Sequence, residues 1–471
     1  MTGALLLIAA VGLSTVTLDP TVELGPVKPM NCVNNGPLAP DKSINKSNFH
    51  WYRLLRIPYA RTHDANICRR FGAPHVVDVS AVFPDPFADE NDPRSYDFVR
   101  TDRHLEAMRA AGTEPFYRLG PSAFAATKPE EFMPRDFAKY ARVCEHIVRH
   151  YNEGWADGFR WNIRYWEIWN EPDLRADEEK NVITPGASPF WSGSVDEFLA
   201  FFATVHRHLK SSFPALRFGG PGIADTRWWA RRFVERMKAE SVKLDFLSWH
   251  SYGVDPGRMA ENCDWYRALL DENGFTGTES ILNEWNYVKG WSRDWEYASE
   301  VMSGRHNVKA AAMIAATMCA CQAKPLDLLM YYDARMGTEM NGMFDGITME
   351  PLKGYYPFYA WAKLRDLGTA VRSAVAMAED DGAVLFTAAA KDASGRLAVL
   401  VARYNEDNNV TWRIPVRIAV AGRRIVRAFA YVTDENRAFT EVPLLVDNDG
   451  AAEVILAPNA FAYVTVETGE K

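Results

Sequence analysis

The stretch Tyr165-Trp166-Glu167-Ile168-Trp169-Asn170-Glu171-Pro172-Asp173 opens as an apolar run and stops abruptly in an amide, a carboxylate and a proline. Tyr, Trp and Ile suit a pleated, packed surface. Pro172 cannot donate to a strand ladder and turns Glu171 away from the helical region, so the strand is predicted to end at Asn170-Glu171. An acid in that position carries a desolvation cost unless something pairs or uses it. A second stretch, Ser280-Ile281-Leu282-Asn283-Glu284-Trp285-Asn286-Tyr287, has the same order, an apolar strand that delivers Asn283 and Glu284. Alternation puts Glu167, Trp169 and Glu171 on one face, with Glu167 deepest, so Glu167 reads as an interior acid below the strand-end pair.

Outward from these two strands, the chain alternates strands with amphipathic helices. Strands are expected to begin near Val27, Ile57, Glu114, Arg164, Leu216, Leu244, Ser280 and Leu326. Helices are expected at Tyr96–Ala111, Pro134–Tyr151, Asp196–Ser211, Trp228–Ala239, Asp264–Glu272, His306–Ala323 and Tyr355–Leu367. Eight such strands close a (β/α)8 TIM barrel of the α/β class, here residues 27–367. From 368 to 471 the pattern changes to short strands between turns, among them Leu397 to Tyr404 and Ala452 to Leu456, which predicts an accessory antiparallel β-sandwich in a supporting role. Residues 1–26, with strand-like Thr15-Val16-Thr17-Leu18, read as an N-terminal strand segment joining that sandwich. The segment from Phe71 to Pro93 is too long for an ordinary connection and is placed over the site.

Composition excludes several classes. A chain of 471 residues exceeds what one core usually serves, in keeping with two domains. A net charge of -8 without a cluster of Lys and Arg argues against nucleic acid or an anionic membrane surface as partner, and leaves self-association as a homo-oligomer open. Cys32, Cys68, Cys144, Cys263, Cys319 and Cys321 have no metal-like spacing and read as buried thiols. The apolar run Ala4–Gly12 has no Lys or Arg before it, which favours a cytoplasmic protein over a secreted one carrying a signal remnant. Gly219-Gly220-Pro221-Gly222 lacks the spacing and following acid of a dinucleotide fingerprint.

Barrel chemistry sits at the carboxyl ends of the strands. The polar residues expected there are Arg61, His63 and Asp64, Arg118, Asn170 and Glu171, His250 and Tyr252, Asn283 and Glu284, and Tyr332 and Asp333. Glu171 and Glu284, at the ends of the fourth and seventh strands, would face each other across the mouth. Two such carboxylates are the minimum equipment for cleaving a glycosidic bond, with retention at about 5–5.5 Å and inversion at about 6.5–9.5 Å. The 15 Trp and 19 Tyr supply flat faces on which pyranose rings can stack.

Taken together, Asn34-Asn35-Gly36-Pro37, Arg61-Thr62-His63, Trp169-Asn170-Glu171-Pro172, Gly219-Gly220-Pro221, Asp245-Phe246-Leu247-Ser248-Trp249-His250-Ser251-Tyr252 and the Glu284 strand resemble clan A of the retaining barrel glycosidases, and within it glycoside hydrolase family 39. The resemblance implies Glu171 as general acid/base, Glu284 as nucleophile and Asn170 as donor to the sugar 2-hydroxyl. His63, His250 and Tyr252 would bind sugar or orient the nucleophile, and Asp64, Arg118, Trp285 and Tyr332 complete the expected substrate-binding set. It implies an exo-acting, β-xylosidase-like enzyme on oligosaccharides or glycosides, with no cofactor and no metal. The alternatives are an α-L-iduronidase-like enzyme, which would need a cation from Arg118, Arg335 or Lys324, a β-galactosidase or α-L-arabinopyranosidase-like enzyme, and a carbohydrate-binding barrel without catalysis. One departure is that Tyr331-Tyr332-Asp333 stands where clan A enzymes often carry Trp.

Overall fold

The computed structural model describes residues 13–39, 47–63, 76–122, 136–183, 188–224, 226–292, 294–336, 340–378 and 384–470. Eight parallel strands close into a barrel in sequence order: β1 (Cys32–Asn34), β2 (Tyr59–Arg61), β3 (Glu114–Leu119), β4 (Tyr165–Ile168), β5 (Arg217–Ile223), β6 (Phe246–Gly253), β7 (Glu279–Tyr287) and β8 (Leu328–Tyr331). Closure comes from Met330 and Tyr331 of β8 lying opposite Cys32 and Val33 of β1. The first strand is shorter than its apolar run suggested, because Pro29 has no ladder donor and the Val27 N–H is spent on the Gly368 carbonyl.

Since side chains alternate along a strand, residues two apart share a face. One interior layer consists of Cys32, Phe116, Tyr165, Phe246, Ile281, Leu328 and Met330, all buried, with Tyr59 packed against them. Tyr165 stacks on Phe116 with ring centroids 5.2 Å apart. Burying each of the larger side chains stabilises the barrel by about 1.5–3 kcal/mol. The next residues on the same face are Asn34, Arg61, Arg118, Glu167, Ser248 and Asn283, equally buried and entirely polar.

Helix ends follow local signals. Ser194 and Glu197 form a capping box at the start of Val195–Ser212, and the Asp136 side chain caps Phe137–Asn152. The helix expected from Asp264 begins earlier and runs Pro256–Glu272, because Asp255 accepts from the Gly257 and Arg258 N–H groups and Pro256 takes the first helical position. The helix Trp295–His306 was not anticipated, since its apolar residues form no stripe. Among the described residues no helix is long and apolar enough to cross a membrane.

The chain divides into two compact units, one of Lys28–Met302 with Lys324–Leu352, the other of the strand Ser14–Pro26 with Ser303–Ala323 and the chain from Lys353. The helices Val308–Gln322 and Tyr355–Leu367, expected with the barrel, fall in the second unit. Val308–Gln322 is buried on nearly every face. The second unit is built on one nine-stranded sheet, in the order Thr440–Pro443, Arg424–Thr433, Ala460–Gly469, Leu397–Tyr404, Val384–Lys391, Thr369–Ala376, Ser14–Pro26, Ile414–Val420 and Ala452–Leu456. Ile425 and Val454, from strands near opposite ends of that order, share one buried cluster with Val16, Leu18, Val399 and Val416, so the sheet curls over itself as a β-sandwich. All pairings are antiparallel except that of Ser14–Pro26 with Ile414–Val420.

Candidate active site

The site grows out of the way β4 ends. Beyond Ile168, Trp169 and Glu171 have φ of 76° and 42°, left-handed values costing about 1–3 kcal/mol each for residues with a Cβ. Two backbone bonds hold this turn, Trp169 N–H to Leu119 O at 3.1 Å and Glu171 N–H to Gly222 O at 3.0 Å. Asn170 between them is fully buried, and its Oδ1 accepts from Arg61 Nη2 at 2.5 Å. Gly222 forms the floor. Its φ is +67°, and a Cβ there would lie 3.0 Å from His250 Nε2 and 3.3 Å from Arg61 Nη2, so neither the backbone nor the space admits a side chain.

Arg61, at the end of β2, is the hub. It is wholly buried, with Nε donating to Glu167 Oε2 at 2.5 Å and Nη1 to Glu284 Oε1 at 2.5 Å and Asn34 Oδ1 at 3.1 Å. Burial opposes its charge, but the two carboxylates more than offset that and keep it protonated. Glu167 Oε1 accepts from Ser248 Oγ and Asn283 Nδ2, both at 2.6 Å, so every atom of this interior acid is matched.

Glu284 is held from both sides. Besides Arg61, its Oε1 has His63 Nε2 at 3.3 Å, while its Oε2 accepts from the Tyr252 hydroxyl at 2.6 Å and lies 3.5 Å from His250 Nδ1. Burial alone would raise this carboxyl, yet the charges of His250, His63 and Arg61 and the Tyr252 hydrogen bond bring it down to about 2. The Tyr252 hydroxyl moves the other way, driven well above its usual value by burial and by Glu284. His250 Nδ1 is also 2.8 Å from Glu171 Oε1, and despite burial the two carboxylates raise the imidazole. Glu171, His250 and Glu284 each bring an atom to within 4.8 Å of the others. Three such groups could ligate a metal ion, but the Arg61 guanidinium already supplies a positive charge at hydrogen-bond distance and opposes a second cation. The arrangement suits chemistry between an ionised carboxylate and a neighbouring carboxyl group.

Glu171, Glu284, Asn170, His63, His250 and Tyr252 thus come together. Tyr332 joins them at the rim, edge-on to His63 at 5.3 Å and packed with Val288, Met340 and Tyr252. Arg118, although on the same interior face, bonds none of the carboxylates of the cluster. Its Nη2 donates to Asp78 Oδ1 at 2.7 Å and to the His63 carbonyl at 2.8 Å, so it holds the end of β2 from behind. Trp285 is fully buried, edge-on to Tyr331 at 5.4 Å, on the face of β7 opposite Glu284. Asp64 lies outside the described residues, as does the beginning of the Phe71–Pro93 segment. The part described carries Asp78, which accepts from Arg118 and from Ser122 Oγ at 2.9 Å. The polar residues expected at the strand ends include Asn283 but not Asn34, Ser248 or Gly222, although period-two counting from the apolar layer reaches Asn34 and Ser248. Asp173, two residues past Glu171, is buried and accepts from Ala224 N–H at 2.9 Å, and burial pushes its carboxyl up to about 6. The five described cysteines are all buried, and Cys68 lies outside the described residues.

A beta-xylosidase of Caldicellulosiruptor saccharolyticus is 24% identical over 172 residues, covering 34% of this chain and 32% of that protein. An alpha-L-iduronidase of Canis lupus familiaris is 23% identical over 232 residues, 44% of this chain and 33% of its own length. The match thus spans about a third of these curated relatives. The crystal structure of a glucosidase from Croceicoccus marinus superposes with a TM-score of 0.72 at 22% identity over 98% of this chain and 100% of that one, a likeness of fold. The profile of the Glycosyl hydrolases family 39 covers residues 15–335, more than half of the molecule and all eight barrel strands, and the chain belongs to that family.

Proposed function

We propose that the protein is a retaining, exo-acting glycoside hydrolase that removes terminal β-linked sugars, β-xylosidase-like in its choice of a neutral substrate. Glu284 attacks the anomeric carbon while Glu171 protonates the departing oxygen. Glu171 then takes a proton from water, which releases the sugar from Glu284. The observation that carries this reading is the approach of Glu171 and Glu284, with oxygens within 4.8 Å, nearer to the retaining than to the inverting separation. A nucleophile must be ionised, in keeping with Glu284 held near 2. Asn170 supports the assignment of a 2-hydroxyl donor, since its buried Nδ2 has no hydrogen-bond partner among the described residues.

A sugar bearing a carboxylate is the less favoured substrate. The three cations singled out for it are engaged: Arg118 with Asp78, Arg335 with Asp333 at 3.3 Å and Lys324 with Asp264 at 2.5 Å. Lys324 also precedes β8, at the end of the barrel away from Glu284. A cytoplasmic location is the matching reading for the free, buried thiols of Cys144, Cys263 and Cys319. The test replaces Glu284 with Gly and supplies azide with an activated aryl xyloside. Rescue with formation of a glycosyl azide is expected, and its absence would remove Glu284 as nucleophile. A panel of aryl glycosides given to the unaltered protein identifies the sugar.

A further inference from the structure

Trp291 follows β7 by four residues and is 75% exposed. A single exposed aromatic residue needs no explanation by itself. This one has a second property: its indole stands edge-on to the Tyr252 ring, with centroids 5.3 Å apart at 75°, and the Tyr252 hydroxyl donates to Glu284 Oε2 at 2.6 Å. The indole is therefore one phenol ring away from the carboxylate that would hold the glycosyl unit. The segment that carries it is braced. Val288 N–H donates to the Gly253 carbonyl at 3.1 Å, and Val288 packs with Tyr332, Met340 and Tyr252. Lys289 Nζ pairs with Glu300 Oε1 at 3.0 Å, and a Cβ on Gly290 would stand 2.7 Å from the Tyr297 hydroxyl, so the backbone beside Trp291 is pressed against the following helix.

We propose that Trp291 is the platform of a leaving-group subsite, where its open face stacks on the ring beyond the scissile bond, a neutral pyranose or an aryl group. This rests on the glycosidase reading above. A pyranose turns a plate of C–H groups to one side, which the electron-rich face of an indole accepts. The contact touches no reacting atom and is made equally in the bound substrate and the transition state, so it lowers KM and leaves kcat unchanged.

The experiment compares Trp291→Ala and Trp291→Phe with the unaltered enzyme on β-1,4-xylobiose and on β-xylosyl fluoride, whose leaving group is a single atom, or on the corresponding pair for the sugar the panel selects. Trp291→Ala is expected to raise KM for the disaccharide about 3- to 10-fold, Trp291→Phe to recover most of that, and both to leave the constants for the fluoride unmoved. An equal loss on both substrates would make Trp291 a structural residue, and no loss on either would leave it an ordinary surface aromatic; either result overturns the subsite. Failure of the unaltered enzyme on every glycosyl fluoride would instead remove the glycosidase reading, and that is seen without any variant.

Discussion

Two layers of the barrel interior lie one alternation step apart on the same strands, yet they are held by opposite means. Cys32, Tyr59, Phe116, Tyr165, Phe246 and Ile281 fill the first by apolar contact. Two residues further along, Asn34, Arg61, Arg118, Glu167, Ser248 and Asn283 fill the second with hydrogen bonds and charge. An apolar layer tolerates conservative exchange, because its energy is spread over many weak contacts. A buried ionic layer does not, since removing one partner leaves the other charged and unsolvated. The site is thus a region where packing freedom is given up for a fixed field around Glu284.

The contrast can be broken most severely at the carboxylates. Glu284→Gln should lower kcat on the order of 10^5-fold on every glycoside, whereas the loss in Glu171→Gln should shrink as the leaving group becomes more acidic and needs no protonation. Steady-state rates across a series of aryl leaving groups check both. Arg61→Met removes the hub and leaves Glu167 and Glu284 without their shared cation, at about 3–5 kcal/mol in denaturant unfolding. With that charge gone the Glu284 carboxyl rises, so the acid limb of the kcat/KM profile should move to higher pH. Glu167→Gln keeps the shape and deletes a charge, turning the field of Arg61 wholly onto Glu284. A fall in kcat of about 10- to 100-fold with little change in KM is expected, by analogy with the loss of a hydrogen-bonding partner behind a metal ligand. Ile281→Val, in the apolar layer, should cost only about 0.5–1.5 kcal/mol and leave the pH profile where it was.

The acids also make opposite demands on stability. Glu284 is lowered from 4.5 to about 2, so its contribution is whole above 4.5 and is lost as pH falls towards 2. Asp173 is raised from 3.8 to about 6, so its burial as an acid costs nothing below 3.8, and the penalty builds as pH rises from 3.8 to about 6 and is complete above that. Asp173→Asn should therefore flatten the fall of Tm between those values, and Glu284→Gln the fall at lower pH; the reverse assignment would contradict the burial described for Asp173.

The eight strands and the Asn-Glu pairs were legible because apolar runs ended by polar residues leave little choice of element. The hub was harder to read. Arg61, Glu167, Ser248 and Asn283 come from four strands, and their meeting depends on the stagger between strands, which one sequence does not state. Arg118 looked like a ligand for substrate because it is a cation at a strand end, and only the fold reveals Asp78 beside it. Past the end of β4, alternation gives no direction at all, and the left-handed turns at Trp169 and Glu171 decide where Asn170 points.

The strand Ser14–Pro26 lies inside its sheet, between Thr369–Ala376 and Ile414–Val420. Arg372, which bonds Asp19 across the first of those pairings, is 353 residues away in the chain. At a ribosome adding about 5–20 residues per second, the early strand waits roughly 20 to 70 s for a neighbour to pair with. Until then Val16 and Leu18 have no partner face, so two residues that end fully buried spend most of synthesis without the strands that cover them.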